Sequence, residues 1–324
     1  MEMRIMRRIS GILCISALIG LNLNAQTRTD VINAYNEGAK ATQTDVKVAI
    51  DAFEKSIVLA DQVGETAADM KQKAMQVLPG LYVKLASNTI TDKKPAEETI
   101  KAAKKAQAVA EKYNNATGKE NASKILVQGY YNLGVGYFTK KDYDNALKSF
   151  DSLLVINPGY INAIYNKALV YRSQNNSAAF EENIDLYIGK VKSANDTVKV
   201  KQASKLALEY FRAAGSQENK ANKLDEAIVL LNKAAKYGED KDLFYYFADV
   251  YNKKKNYSSG AEYAQKGLAL ETGAAEAKAK FYFQIAMAQA GDGKTAEACE
   301  SFKNAMYGAF AEPSKVQRAN LKCK

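Results

Sequence analysis

Between residues 127 and 160 the large apolar side chains fall at Tyr130, Leu133 and Tyr137, then at Phe150, with the small residues Gly134 and Ala146 set among them. Spacings of three and four place such residues on one face of a helix. The pattern predicts two amphipathic helices. Residues 142–144 read as the polar turn between them, and Pro158 closes the unit because proline cannot continue a helical hydrogen-bond ladder. The small residues let the two backbones approach, and the large ones fill the space between the helices.

The same spelling recurs along the chain. Phe244, Phe247, Ala248 and Tyr251 repeat the first helix, followed by Gly260 and Ala264 in the second. Tyr282, Ile285, Ala286 and Gln289, then Ala298 and Phe302, form another copy. Val83, Ala86, Ser87 and Ile90, with Thr99 and Ala103, form an earlier one. Ile164, Ala168 and Tyr171 precede Phe180 and Ile184. Ala207, Leu208 and Phe211 precede Ala227 and Leu231 across residues 215–223, which read as a long polar loop. Residues 113–123, rich in Asn, Lys and Gly, read as a second loop, and residues 175–177 as a tight turn. Ala49 and Phe53, behind a helix over 30–41, mark a first unit, for six units and a seventh less clearly spelled.

Residues 127–160 match the tetratricopeptide pattern W-x2-L-G-x2-Y, A-x3-F, P, with Tyr130 in the Trp position. The chain therefore resembles the tetratricopeptide-repeat family over about residues 30–312. The resemblance implies an all-α, right-handed superhelical solenoid of helix-turn-helix repeats, about six or seven units over 26–312. Residues 313–324 are expected to form a capping helix and basic tail, because stacked repeats need a polar cover at each end. A generic helical bundle is the competing architecture.

Residues 1–25 stand apart. Arg4, Arg7 and Arg8 precede a largely apolar run over 9–23, the layout of a secretory signal peptide, with cleavage expected near Ala25. Cys14 lacks the small preceding residue of a lipid-anchored protein. Asn24-Ala25-Gln26 resembles exported proteins of Bacteroidetes-type bacteria, which makes the periplasm the expected location. No other stretch approaches the roughly 20 apolar residues of a span, so stable membrane insertion is not expected.

Removing three arginines and one glutamate with the leader lowers the formal charge from +10 to +8. The lysines are interspersed with glutamates as on solvated helix faces, and no dense basic stripe tracks a phosphate backbone, so nucleic acid is not an expected partner. Cys299 and Cys323, 24 residues apart, can pair in an oxidising compartment or remain a small buried thiol and a tail thiol.

The chain contains no histidine, which removes the commonest general base and metal ligand. Asp142, Asp144 and Asn145 lack the ligand order of a calcium loop. Gly134-Val135-Gly136 has neither a third glycine nor a preceding strand and reads as helix packing. Neither an enzyme nor a cofactor or metal site is expected.

What the resemblance implies instead is a protein or peptide partner held along the first helices of the pairs. The residue after the first large position is Tyr131, Tyr165, Tyr245 and Phe283 in four units, and this aromatic series lines either the groove or the inter-repeat core. Asn162, Asn166, Arg172 and Asn252 lie on nearby turns and can hydrogen-bond a peptide backbone. Asp196-Thr197-Val198 resembles the D-S/T-aliphatic sites of O-glycosylation, with Thr197 in an expected loop. The expected role is a periplasmic scaffold or adaptor in envelope assembly or secretion; the alternative is a carbohydrate-related or enzymatic envelope protein on the same scaffold.

Overall fold

A computed structural model describes residues 26–324, and the leader and cleavage site expected over residues 1–25 lie outside the described residues. Among the described residues there are fifteen α-helices and no strand. The chain divides into two compact units at residues 126 and 127.

The first unit contains α1 (Arg28–Ala41), α2 (Val46–Val63), α3 (Ala68–Thr91), α4 (Ala96–Lys112) and the start of α5 (Ala116–Thr139). Thr27 opens α1 with a reciprocal capping box to Asp30, and Asp45 accepts from the backbone amides of Lys47 and Val48 at the start of α2. Gly38 gives α1 its close approach to α2. A Cβ there would stand 3.0 Å from the Phe53 ring, itself fully buried. The least clearly spelled unit is thus a real helix pair.

The second unit contains the end of α5, followed by α6 (Tyr143–Ile156), α7 (Ile161–Ser173), α8 (Ser177–Ser193), α9 (Thr197–Lys220) and α10 (Leu224–Ala235). It continues through α11 (Lys241–Lys253), α12 (Tyr257–Ala269), α13 (Ala275–Gly291), α14 (Thr295–Asn304) and α15 (Ala311–Asn320). Phe150, Phe180, Phe211, Phe247, Phe281 and Phe302 are fully buried between helices. Each such ring contributes about 1.5–3 kcal/mol by leaving water. At Gly134 a Cβ would lie 2.6 Å from the Phe150 ring, so the small position is a steric requirement. With α1–α2 and α3–α4, the second unit's pairs bring the total to seven. The fold is all-α, built of paired helices of the tetratricopeptide type.

Five turns join helices within pairs of this unit, and all have three residues. The middle one is left-handed at Lys141, Asn175, Asn222, Lys255 and Gly293. The next residue opens the second helix, with Asp142, Asn176 and Asn256 accepting from its backbone.

Three expectations need correction. Residues 215–220 are the last turns of α9, and only 221–223 form the loop. Gly215 is buried there, its missing Cβ 2.8 Å from Leu231, so tertiary contact outweighs the roughly 1 kcal/mol helical cost of glycine. Residues 116–123 are helical as well. The turn is confined to residues 113–115, with Asn114 at φ 52° and the Asn115 Oδ1 accepting from the Gly118 amide at 2.6 Å. Finally, the α5–α6 turn is 140–142, with Asp144 already inside α6.

Candidate partner-binding face

On α5 and α7 a triplet of partly exposed residues repeats. Gln128, Tyr131 and Asn132 on α5 correspond, 34 residues on, to Asn162, Tyr165 and Asn166 on α7. All six are half-buried or exposed. The Tyr131 ring centroid is 5.5 Å from that of Tyr160 and 6.4 Å from that of Phe150. The Asn166 amide nitrogen donates to the Tyr131 hydroxyl at 3.4 Å and to the Asn162 carbonyl at 2.8 Å. Gln128 donates to Asn132 at 2.8 Å, one turn away on the same helix. Burial raises the Tyr160 phenol above its ordinary pKa, and the neighbouring Tyr131 adds to this.

An amide side chain offers two donors and two acceptor lone pairs, so these bonds use only part of its capacity. Arg172, half-buried in the last turn of α7, pairs with no carboxylate among the described residues. The six triplet residues are thus uncharged, aromatic and amide-rich, and Arg172 adds a positive charge near them.

The first helices α9, α11 and α13 behave differently. Asp249 accepts from Asn219 at 2.6 Å, from Lys253 at 2.8 Å and from Gln284 at 3.1 Å. Lys253 also donates to Asn219 at 2.8 Å. Asn252 donates to both the side-chain and backbone oxygens of Gln284 at 2.9 Å. Arg212 pairs with Asp240, and Lys280 with Asp242 at 2.6 Å. Asn219, Asn252 and Gln284 are all buried. Tyr245 meets the Phe281 ring edge-on at 6.3 Å, with the Lys280 ammonium 5.4 Å from its own centroid. Burial pushes the Tyr245 phenol up to about 12, with Asp249 adding to the shift.

Asn252 therefore does not face a groove. It fills the space above Gly260, where a Cβ would stand 2.0 Å from its Oδ1. The aromatic series also divides. Tyr131 and Tyr245 reach the first helix of the following pair. Tyr165 instead packs on Tyr187 of α8 at 4.7 Å, and Phe283 on Phe302 of α14 at 5.6 Å. Sequence reasoning did not single out Gln128, Asn132, Asp249, Gln284 or Asn219. The 34-residue recurrence of the triplet was the available signal for the first two.

Cys299 and Cys323 are joined as a disulfide with Cα atoms 5.6 Å apart. Thr197 is exposed and is the first residue of α9 rather than part of a loop. Among the described residues no group of three or more His, Cys, Asp or Glu side chains could hold a metal ion, and no helix is long and apolar enough to cross a membrane.

The helix pairs define the class as a tetratricopeptide-type repeat. No family profile and no curated protein matches the chain. Solved structures similar to it include the MamA protein, at 18% identity and TM-score 0.35 over 61% of this chain and 97% of that one. A tetratricopeptide repeat protein from Parabacteroides merdae is 15% identical at TM-score 0.31, over 91% and 100% of the two chains. Yeast Tom70 is 16% identical at TM-score 0.32, over 90% and 59%. Likeness at this level carries no functional argument.

Proposed function

We propose that the chain is a non-enzymatic protein-binding repeat that holds an extended segment of a partner polypeptide across α5 and α7. The observation that carries this reading is the recurrence of the amide–tyrosine–amide triplet on two consecutive first helices. Packed helices lie about 8–10 Å apart. Three residues of extended chain span about 10 Å, so a segment crossing the helices meets one triplet every three residues. Tyrosine supplies wide contact area with little rotamer entropy to lose, and the amides match peptide N–H and C=O groups.

Export to the periplasm and a role in envelope assembly or secretion complete the proposal. The support is the basic start and apolar run of residues 1–25, and a disulfide suits an oxidising compartment. The mature protein is expected in the periplasmic fraction with Gln26 first, as N-terminal sequencing would read. Thr197, exposed beside the capping Asp196, is the proposed O-glycosylation site; an unmodified intact mass from the native source would remove it.

The binding proposal is tested by affinity capture from an envelope extract. A stoichiometric polypeptide should be retained by the native chain and lost with Tyr131→Ala plus Asn166→Ala at unchanged helicity. Full retention by the double variant would overturn the assignment.

A further inference from the structure

The last helix is held by an unusual balance of forces. Of the ten residues of α15 only Ser314 is buried, and among the described residues its hydroxyl meets no hydrogen-bond partner. A buried hydroxyl without a partner opposes docking rather than favouring it. The apolar contacts that hold the segment lie at its two ends. Phe310, in the 3-10 turn Gly308–Phe310 just before α15, packs on Phe283 at 5.3 Å, and Leu321, just after α15, packs against the cluster of Ala286, Ala298 and Phe302.

What closes the segment onto α14 is the Cys299–Cys323 bond and one arginine. Arg318 donates to the Cys299 carbonyl and, at 2.9 Å, to the Lys324 carbonyl, so it bridges both sides of the clasp. Both half-cystines are half-buried. They line an open cavity of about 530 Å3 together with Glu300, Lys303 and Arg318, so an attacking thiolate can reach the bond.

We propose that α15 with its flanking Phe310 and Leu321 is a redox-controlled lid: the Cys299–Cys323 disulfide keeps the segment shut, Phe310 on Phe283 and Leu321 against Phe302, and reduction releases it to uncover that apolar seat. The co-reactant is a dithiol. Its thiolate attacks one protein sulfur and breaks the S–S bond, and its second thiol resolves the mixed disulfide. Two electrons and two protons pass to Cys299 and Cys323, and the reagent leaves oxidised. The lid opens because its remaining contacts are few and include the unsatisfied Ser314. Phe283, which continues the aromatic series of the first helices, is then uncovered.

Hydrogen exchange on the chain from Gln26 onward, whose only cysteines are Cys299 and Cys323, read by mass spectrometry with and without dithiothreitol, tests this. Thiol titration should count no free thiols before treatment and two after. Residues 311–320 should then exchange at least about tenfold faster, while α9–α12 stay unchanged. The Cys299→Ser/Cys323→Ser variant should show the fast pattern with or without reductant. Two free thiols under oxidising conditions, or a lid as well protected in the reduced chain and the double variant as in the oxidised chain, would overturn the proposal. Arg318→Ala should speed exchange in the oxidised chain by less than reduction does.

Discussion

Two stretches of first helix use equivalent positions in opposite ways. On α5 and α7 the triplets Gln128/Tyr131/Asn132 and Asn162/Tyr165/Asn166 carry no formal charge and bond chiefly to neighbours one turn away. On α9, α11 and α13 the corresponding positions include Arg212, Asp242, Lys280 and Gln284, which, with Asp249 and Lys253 further along α11, bond between helices. One set braces the repeats against each other; the other is left with hydrogen-bonding capacity for a ligand. A repeat thus allots the same position to support or to recognition according to whether its polar groups find partners within the fold.

Removing the hub of the bracing set should have the largest effect. Asp249→Ala leaves Asn219, Lys253 and Gln284 without their common acceptor and should cost about 2–4 kcal/mol in urea unfolding, with partner capture retained once folded. Loss of capture without loss of stability would reverse the two roles. Gly134→Ala probes the steric contact under the binding face. Its Cβ would meet the Phe150 ring at 2.6 Å, so about 1–3 kcal/mol of destabilisation is expected by the same measurement.

Acid should separate the regions more gently. Burial raises the Asp242 carboxyl, but the bonded Lys280, with Arg212 and Lys241 nearby, outweighs it and holds the group below its ordinary value. Glu271 is lowered by its bond to Lys241 and by the Gly273 amide. A depressed folded pKa contributes stability that is complete above the ordinary carboxylate range and lost as pH falls through the folded value. Exchange in α11–α13 should therefore rise below about pH 4, while the uncharged triplets of α5 and α7 show no matching transition. The smallest structural effect belongs to Asn166→Ala: under about 1 kcal/mol, read in urea, yet with a measurable drop in partner capture.

Much of the fold was legible because large and small residues alternate with steric purpose. Gly134 and Phe150 stand 16 residues apart, as do Gly215 and Leu231, and both couples touch. Reading Gly215 as a loop residue followed from its weak helix propensity taken alone; the 16-residue partner was the signal that would have kept it in α9. The stretch 116–123 was misread similarly, since Asn115 caps a helix rather than prolonging a loop. The braces of α9–α13 could not be read at all. Asp249, Asn219 and Gln284 are common surface residues whose burial depends on three helices converging. Asn252 was placed on the groove for the same reason, its role being set by the missing side chain at Gly260.

The within-pair turns have a consequence of another kind. A helix end, one left-handed residue and a helix start recur at Lys141, Asn175, Asn222, Lys255 and Gly293. Such a joint is an interchangeable part. A segment cut from one joint to the next begins and ends alike, so duplicating or deleting it preserves the reading frame of the architecture. A lineage carrying this chain could alter its reach one cassette at a time, with new surface appearing and no core to redesign.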